Sequence, residues 1–171
     1  MKCSNFVTSS LSAAALGFLA LGLASTPAFA NTATNTVNVT VTVTTSCTVS
    51  GDTLAFAPYN GAALTGSSTG LTVTCTNGTP YNIGLDGGIN GGTAGGTLYM
   101  KIASGTQKVS YQLFSNSGDT TAWGSTIGTN TVASTGTGSA QTPFVIYGSI
   151  PAGQAVVPGN YSDTVTATVT Y

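Results

Sequence analysis

Val37, Val39, Val41 and Val43 alternate with Asn38, Thr40, Thr42 and Thr44, a two-residue period that predicts a β-strand with one aliphatic face. The strand is expected to continue through Ser46 into Cys47 and Val49. After Gly51-Asp52, Leu54 and Phe56 predict a short strand. Leu71, Val73 and Cys75 predict the next, and Tyr81, Ile83 and Leu85 another beyond the Asn77-Gly78-Thr79-Pro80 turn. Residues 86–97 are Gly-rich and read as a loop. Leu98, Met100 and Ile102, then Val109, Tyr111 and Leu113, predict two further strands. The Thr/Gly/Ser-rich stretch 125–142 has no clear period. Phe144, Ile146 and Gly148 alternate before the Ile150-Pro151-Ala152-Gly153 turn. Beyond Pro158-Gly159-Asn160, the residues Tyr161, Val165, Ala167, Val169 and Tyr171 share one parity.

No 3.6-residue period appears after the N-terminal segment. Short strands with turn signals about every ten residues predict an all-β sandwich of immunoglobulin-like character. A β-helix is the alternative for a Gly-rich chain, but no fixed repeat supports one.

Met1 to Ala30 reads as a secretory signal peptide: Lys2 is the basic start, Leu11 to Leu23 the short apolar run, and Ala28-Phe29-Ala30 the small-residue cleavage site. The mature chain is then expected to begin at Asn31. The apolar run is too short for a membrane span and a processing site follows it directly. Cleavage removes Cys3 and leaves Cys47 and Cys75, which in an exported protein read as one disulfide. A loop of that size adds roughly 3–4 kcal/mol of stability on the chain-entropy picture.

Charge changes the picture by its scarcity. Charged residues make up 4% of the 171, with Lys2, Lys101 and Lys108 the only basic side chains and Asp52, Asp86, Asp119 and Asp163 the only acidic ones. Two lysines beyond the leader cannot neutralise a row of phosphates, which argues against nucleic acid as a partner. With no histidine, neither a Ser–His–Asp nor a Cys–His site can be assembled, and two cysteines alone are too few soft ligands for zinc. The four aspartates flank turn residues, where Asp is favoured for local hydrogen bonds. The Gly-rich loop from Asp86 to Gly92 offers one carboxylate and lacks the calcium-loop spacing. No cofactor, metal or catalytic role is expected. A surface this poor in charge suits a protein packed against copies of itself.

The two chain ends carry the sharpest expectation. The valine stripe at the start of the mature chain suits addition to a neighbouring molecule's sheet, burying four valines for roughly 6 kcal/mol at about 1.5 kcal/mol each. Pattern alone equally allows 37–49 to be the first strand of its own domain, or 31–43 to be exchanged while 44–50 stays native. The closing strand runs to Tyr171, and if the sandwich lacks its final strand, that edge is expected to need a cover.

The runs Ser46-Cys47-Thr48-Val49, Leu71 to Cys75, Tyr81 to Gly88, Tyr111 to Phe114, Trp123-Gly124, Val145 to Gly148, Ile150 to Gln154, and Gly159-Asn160-Tyr161-Ser162-Asp163-Thr164-Val165 through Tyr171 together resemble the spore coat protein U domain family. Its members include subunits of archaic chaperone–usher pili. The resemblance implies an incomplete immunoglobulin-like sandwich, pilin-type and lacking its last strand. A periplasmic chaperone lends a strand to the open groove, and an outer-membrane usher exchanges it for the N-terminal extension of the next subunit. On that resemblance, residues 31–43 are the donor extension with Val37, Val39, Val41 and Val43 as its stripe, and 44–171 is the sandwich domain. Val165, Ala167, Val169 and Tyr171 form the pairing edge, and Cys47–Cys75 is the bridge. The expected role is a structural subunit exported through the periplasm to the cell surface, supporting adhesion and biofilm formation. The alternatives are a coat or matrix protein packed without a chaperone and usher, and a carbohydrate-binding module using Trp123, Tyr99 or Tyr147. A single tryptophan in a sandwich is more often core than sugar platform.

Overall fold

The computed structural model describes residues 30–51, 53–68 and 70–171. The expected leader, apart from Ala30, lies outside the described residues. The chain divides between Thr40 and Val41. Up to Thr40 the described residues are exposed and have no regular structure. From Val41 onward, the described residues form eleven strands and no helix.

In chain order these are β1 (Cys47–Ser50), β2 (Leu64–Ser67), β3 (Leu71–Cys75), β4 (Pro80–Leu85), β5 (Leu98–Ile102), β6 (Lys108–Phe114), β7 (Val132–Thr135), β8 (Ala140–Phe144), β9 (Tyr147–Ile150), β10 (Tyr161–Ser162) and β11 (Ala167–Thr170). They pair antiparallel in three sheets of order β1-β3-β8, β10-β5-β6-β9-β2 and β11-β4-β7. The inward residues of the alternating strands meet in one core: Leu71, Val73 and Cys75 of β3, Tyr81, Ile83 and Leu85 of β4, Leu98 of β5, Val109, Tyr111 and Leu113 of β6, and Ile150 of β9. Trp123 fills the centre at 1% exposure, and its indole N–H donates to the Ile83 carbonyl at 2.9 Å. The expected all-β, disulfide-stapled sandwich is what the chain forms. Cys47 and Cys75 are direct cross-strand partners on β1 and β3 and are bonded to each other.

Several boundaries differ from expectation. The strand expected over 37–49 is confined to Cys47–Ser50; residues 37–46 carry the alternation but join no ladder, and a strand needs a partner for its N–H and C=O groups. Leu54 and Phe56 do not form a strand. They lie over Gly66 of β2 and Gly148 of β9, which are register partners, and a side chain at Gly148 would meet the Phe56 ring at 2.8 Å. This is why β2, with a single large apolar residue, was not visible in the pattern: its core cover comes from Phe56, not from its own side chains. The expected strand through Phe144 and Gly148 breaks at Val145-Ile146, where the chain passes from β3's sheet to the sheet of β6. Ser68 holds the break, its N–H donating to Ile146 O at 2.9 Å and its Oγ accepting from Ile146 N–H at 3.1 Å. Within the patternless 125–142 stretch the structure places β7 and the start of β8.

The Ile150 to Gln154 run continues a sheet by side chain. Beyond the end of β9, Gln154 accepts from Ser110 N–H at 2.7 Å and donates to Ser110 O at 2.9 Å. It replaces the strand that β6 would otherwise lack there.

Candidate functional site

Among the described residues, six strands end the three sheets with one neighbour each, and two of these edges, β1 and β11, lie side by side. β11 has one neighbour, β4, and β1 has one neighbour, β3, while β1 and β11 run close to each other without sharing a ladder. Asp86 N–H donates to Thr166 O at 3.1 Å, which sets the phase of the β11–β4 ladder. In an antiparallel pair the backbone groups alternate between partner and outer edge. The backbone groups of Thr168 and Thr170 therefore turn toward β4, and those of Ala167 and Val169 toward the open side. On β1, Thr76 N–H donates to Ser46 O at 2.9 Å, so the same alternation leaves the backbone of Cys47 and Val49 facing outward.

Beside these free groups lies an apolar floor. Val165, Ala167 and Val169 are half-buried and pack on the core without being covered by it, and Cys47 does the same from β1. The structure thus brings together three of the four residues expected at the pairing edge. The fourth, Tyr171, is 58% exposed at the rim. The expected donor residues Val37, Val39, Val41 and Val43 are exposed by 80%, 88%, 87% and 76%. Val41 and Val43 belong to the same unit as the sandwich, yet they contribute nothing to its core.

The start of this edge is fixed by two carboxylates. Asp163 Oδ1 accepts from Ile89 N–H at 3.1 Å, from the Asn90 amide at 2.8 Å and from Thr164 N–H at 2.9 Å, and its Oδ2 accepts from the Tyr111 hydroxyl at 2.7 Å. Asp86 Oδ1 accepts from Gly88 N–H and Thr166 N–H, both at 2.9 Å. The expectation that the aspartates serve only local turns is corrected here for Asp163, whose distant partners lie 74, 73 and 52 residues away in sequence, and for Asp86, whose partner Thr166 lies 80 residues away. Gly88 is required beneath it: φ is +71°, and a side chain there would collide with the Asp163 carboxylate. The loop presents N–H donors to both carboxylates, the opposite of a cage for a cation.

Partial burial works to raise the Asp86 pKa, but the bonds from Thr166 and Gly88 outweigh it and leave the group below its ordinary value of 3.8. Burial, and then the bond to Asp163 and its charge, push the Tyr111 phenol well above its ordinary 10.0. Asp86 stability is therefore present above pH 3.8 and is lost as pH falls below it. Tyr111 stability is present below pH 10.0 and is lost as pH rises beyond it. Thermal unfolding is expected to show a flat plateau between those limits and a fall on either side. A maximum centred near pH 6 to 7 with no plateau would contradict this.

Other chemistry is sparse. Among the described residues no cluster of three or more His, Cys, Asp or Glu is placed to hold a metal. Trp123 is wholly inside and offers no face to a sugar. Lys108 donates to the Asn90 carbonyl at 2.6 Å and lies over the Tyr99 ring at 5.3 Å, while Lys101, directly across the β5–β6 hairpin, is exposed.

Comparison with known proteins agrees with this architecture. The chain matches the Spore Coat Protein U domain over residues 33–168. It is 36% identical over 165 residues to Protein U of Myxococcus xanthus, covering 87% of this chain and 90% of the relative. Among solved structures it is similar to the CsuC–CsuE chaperone–tip adhesion subunit pre-assembly complex from archaic chaperone–usher Csu pili of Acinetobacter baumannii. That similarity has a TM-score of 0.53 at 22% identity, covers 76% of this chain and spans 41% of the matched one. With the match running through nearly every strand described above, the chain belongs to the spore coat protein U domain family.

Proposed function

We propose that this chain is a structural subunit of a surface pilus, polymerising by donor-strand exchange through a chaperone–usher pathway and supporting adhesion and biofilm formation. The observation that carries this reading is the pair of open edges on β1 and β11 above an uncovered apolar floor, in a chain that also carries an exposed stripe of four valines. The acceptor edge is Val165, Ala167, Val169 and Tyr171. The donor is the 31–43 extension of the next subunit, with 44–171 as the acceptor domain. An open edge with free N–H and C=O groups is an aggregation hazard unless another strand covers it, and a two-residue valine period matches the pleat of such a floor. The partners are a periplasmic chaperone, an outer-membrane usher, and copies of this chain or related subunits. Its destination is the cell surface, reached through the periplasm.

Co-expression of the mature chain with a periplasmic chaperone of such a pathway is the test. The expected result is a soluble one-to-one complex that protects the subunit from aggregation. A mature chain that stays monomeric and folded without any chaperone would sink the incomplete-sandwich reading.

The similarity to a Myxococcus protein within a coat-named family favours a second reading, a coat protein packed without exchange of strands. Assemblies of that kind dissociate in detergent without heating, whereas strand-exchanged ladders persist until boiled.

A further inference from the structure

The acceptor strand has an ambiguity built into its sequence. Thr164-Val165-Thr166-Ala167-Thr168-Val169-Thr170 repeats polar and apolar residues with a period of two. A one-residue slip against β4 would turn its apolar face outward, and the hydrophobic effect forbids it. A two-residue slip keeps the same face of β11 inward, placing Val165 and Ala167, or Val169 and Tyr171, opposite Leu85 and Ile83. Side-chain pattern therefore leaves the register of β11 undetermined, although a single register is observed: Ala167 opposite Leu85 and Val169 opposite Ile83.

We propose that Asp163 is the register pin of the acceptor strand. It stands immediately before the repeat, and its carboxylate ties that point of the chain to three groups outside the repeat: Ile89 N–H, the Asn90 amide and the Tyr111 hydroxyl. These partners come from the 86–92 loop and from β6, so the pin is referenced to two separate parts of the core. The Ile89 N–H also donates to Thr164 O at 3.2 Å, and Asp86 holds Thr166 through both of its backbone groups. A two-residue slide would move the carboxylate by about 7 Å along the strand, away from all three distant donors. Asp163 lies on the inward parity of the closing strand, between Tyr161 and Val165, where a carboxylate is tolerated only because its oxygens are bonded. This inference rests on the proposed function for its consequence: the same residues form the edge a donor must read, so a slipped β11 would offer the donor a floor displaced by two residues.

The test is NMR on the mature chain in complex with its chaperone, for the wild type, Asp163→Ala and Tyr111→Phe. In an antiparallel pair, close Hα–Hα contacts join residues of the non-hydrogen-bonded pairs. The wild type is expected to give Val169–Ile83 and Ala167–Leu85 contacts only. Loss of a carboxylate hydrogen bond lowers the preference for one register by roughly tenfold or more. Asp163→Ala is therefore expected to add contacts of a slipped register, either Ala167–Ile83 or Val169–Leu85. Tyr111→Phe removes one of the bonds and keeps the core ring, so it is expected to add the same contacts more weakly and remains informative if the alanine variant does not fold. A single native register in Tyr111→Phe, and in any folded Asp163→Ala, overturns the pin. If the wild type is a stable monomer needing no chaperone, the proposed function fails instead, and the same contacts measured on the free chain still decide the pin.

Discussion

Deletion of residues 31–43 is expected to abolish fibre growth while leaving capture by the chaperone intact. On the proposed strand exchange, the acceptor half of the contact, from β11 and β1, is untouched by the deletion, so a strand lent by the chaperone is expected still to find its edge. The donor half is lost completely. Burying four valines is worth roughly 6 kcal/mol, and each main-chain hydrogen bond adds about 1 kcal/mol net. Even the apolar part alone corresponds to roughly a 10⁴-fold change in the stability of a subunit contact. Gel electrophoresis without boiling reads this directly: a ladder for the full mature chain and a single band for the deletion. A shorter probe is Val41→Asp, which places an unpaired carboxylate on the stripe and is expected to stop the ladder as well. Val41 is 87% exposed in the chain itself, so this change cannot act by damaging the core. Polymers from the deletion variant would refute strand donation by this segment.

Trp123→Ala is expected to destabilise the fold severely. The ring is 1% exposed at the centre of the core, and replacing such a ring by alanine costs about 3–5 kcal/mol. The change also removes the indole N–H bond to the Ile83 carbonyl, worth about 1 kcal/mol net. Ile83 faces Val169 across the ladder, so the damage reaches the acceptor edge. Against a typical domain stability of about 5–15 kcal/mol, the sum removes a large fraction of it. Trp123→Phe retains most of the volume and loses the hydrogen bond, and is expected to fold with a lowered melting temperature. Yield of chaperone-bound subunit and thermal unfolding separate the two. An alanine variant that melts like the wild type would show that the core does not depend on this ring.

Alternation was the most readable feature of the chain, and it located β3, β4, β5 and β6 because each buries its own side chains on one face. It misplaced what depends on partners. Residues 37–46 have a strand's pattern and no ladder, since alternation specifies a face and leaves the neighbour unstated. β2 and the Phe56 segment were interchanged for a related reason: Gly66 and Gly148 have no apolar side chain of their own, and the ring that covers them comes from another part of the chain. Asp163 carries a signal of its role in the sequence. Its parity matches Tyr161 and Val165, and a charged residue on the inward side of a strand implies bonded oxygens. Which donors supply those bonds depends on the path of the 86–92 loop, which no local pattern encodes. The Cys47–Cys75 bridge was legible from the scarcity of cysteines in an exported chain, and its cross-strand geometry was not.

Amide hydrogen exchange at Ala167 and Val169 is the measurement that bears most directly on the open edge. These N–H groups face away from β4, so they are protected only when another strand pairs with that edge. Fast exchange in mature chain freed of chaperone, and slowing by orders of magnitude in the assembled fibre, is the expected result. Strong protection of both amides in an isolated, monomeric chain would mean that the sandwich closes by itself, and strand exchange would have no site.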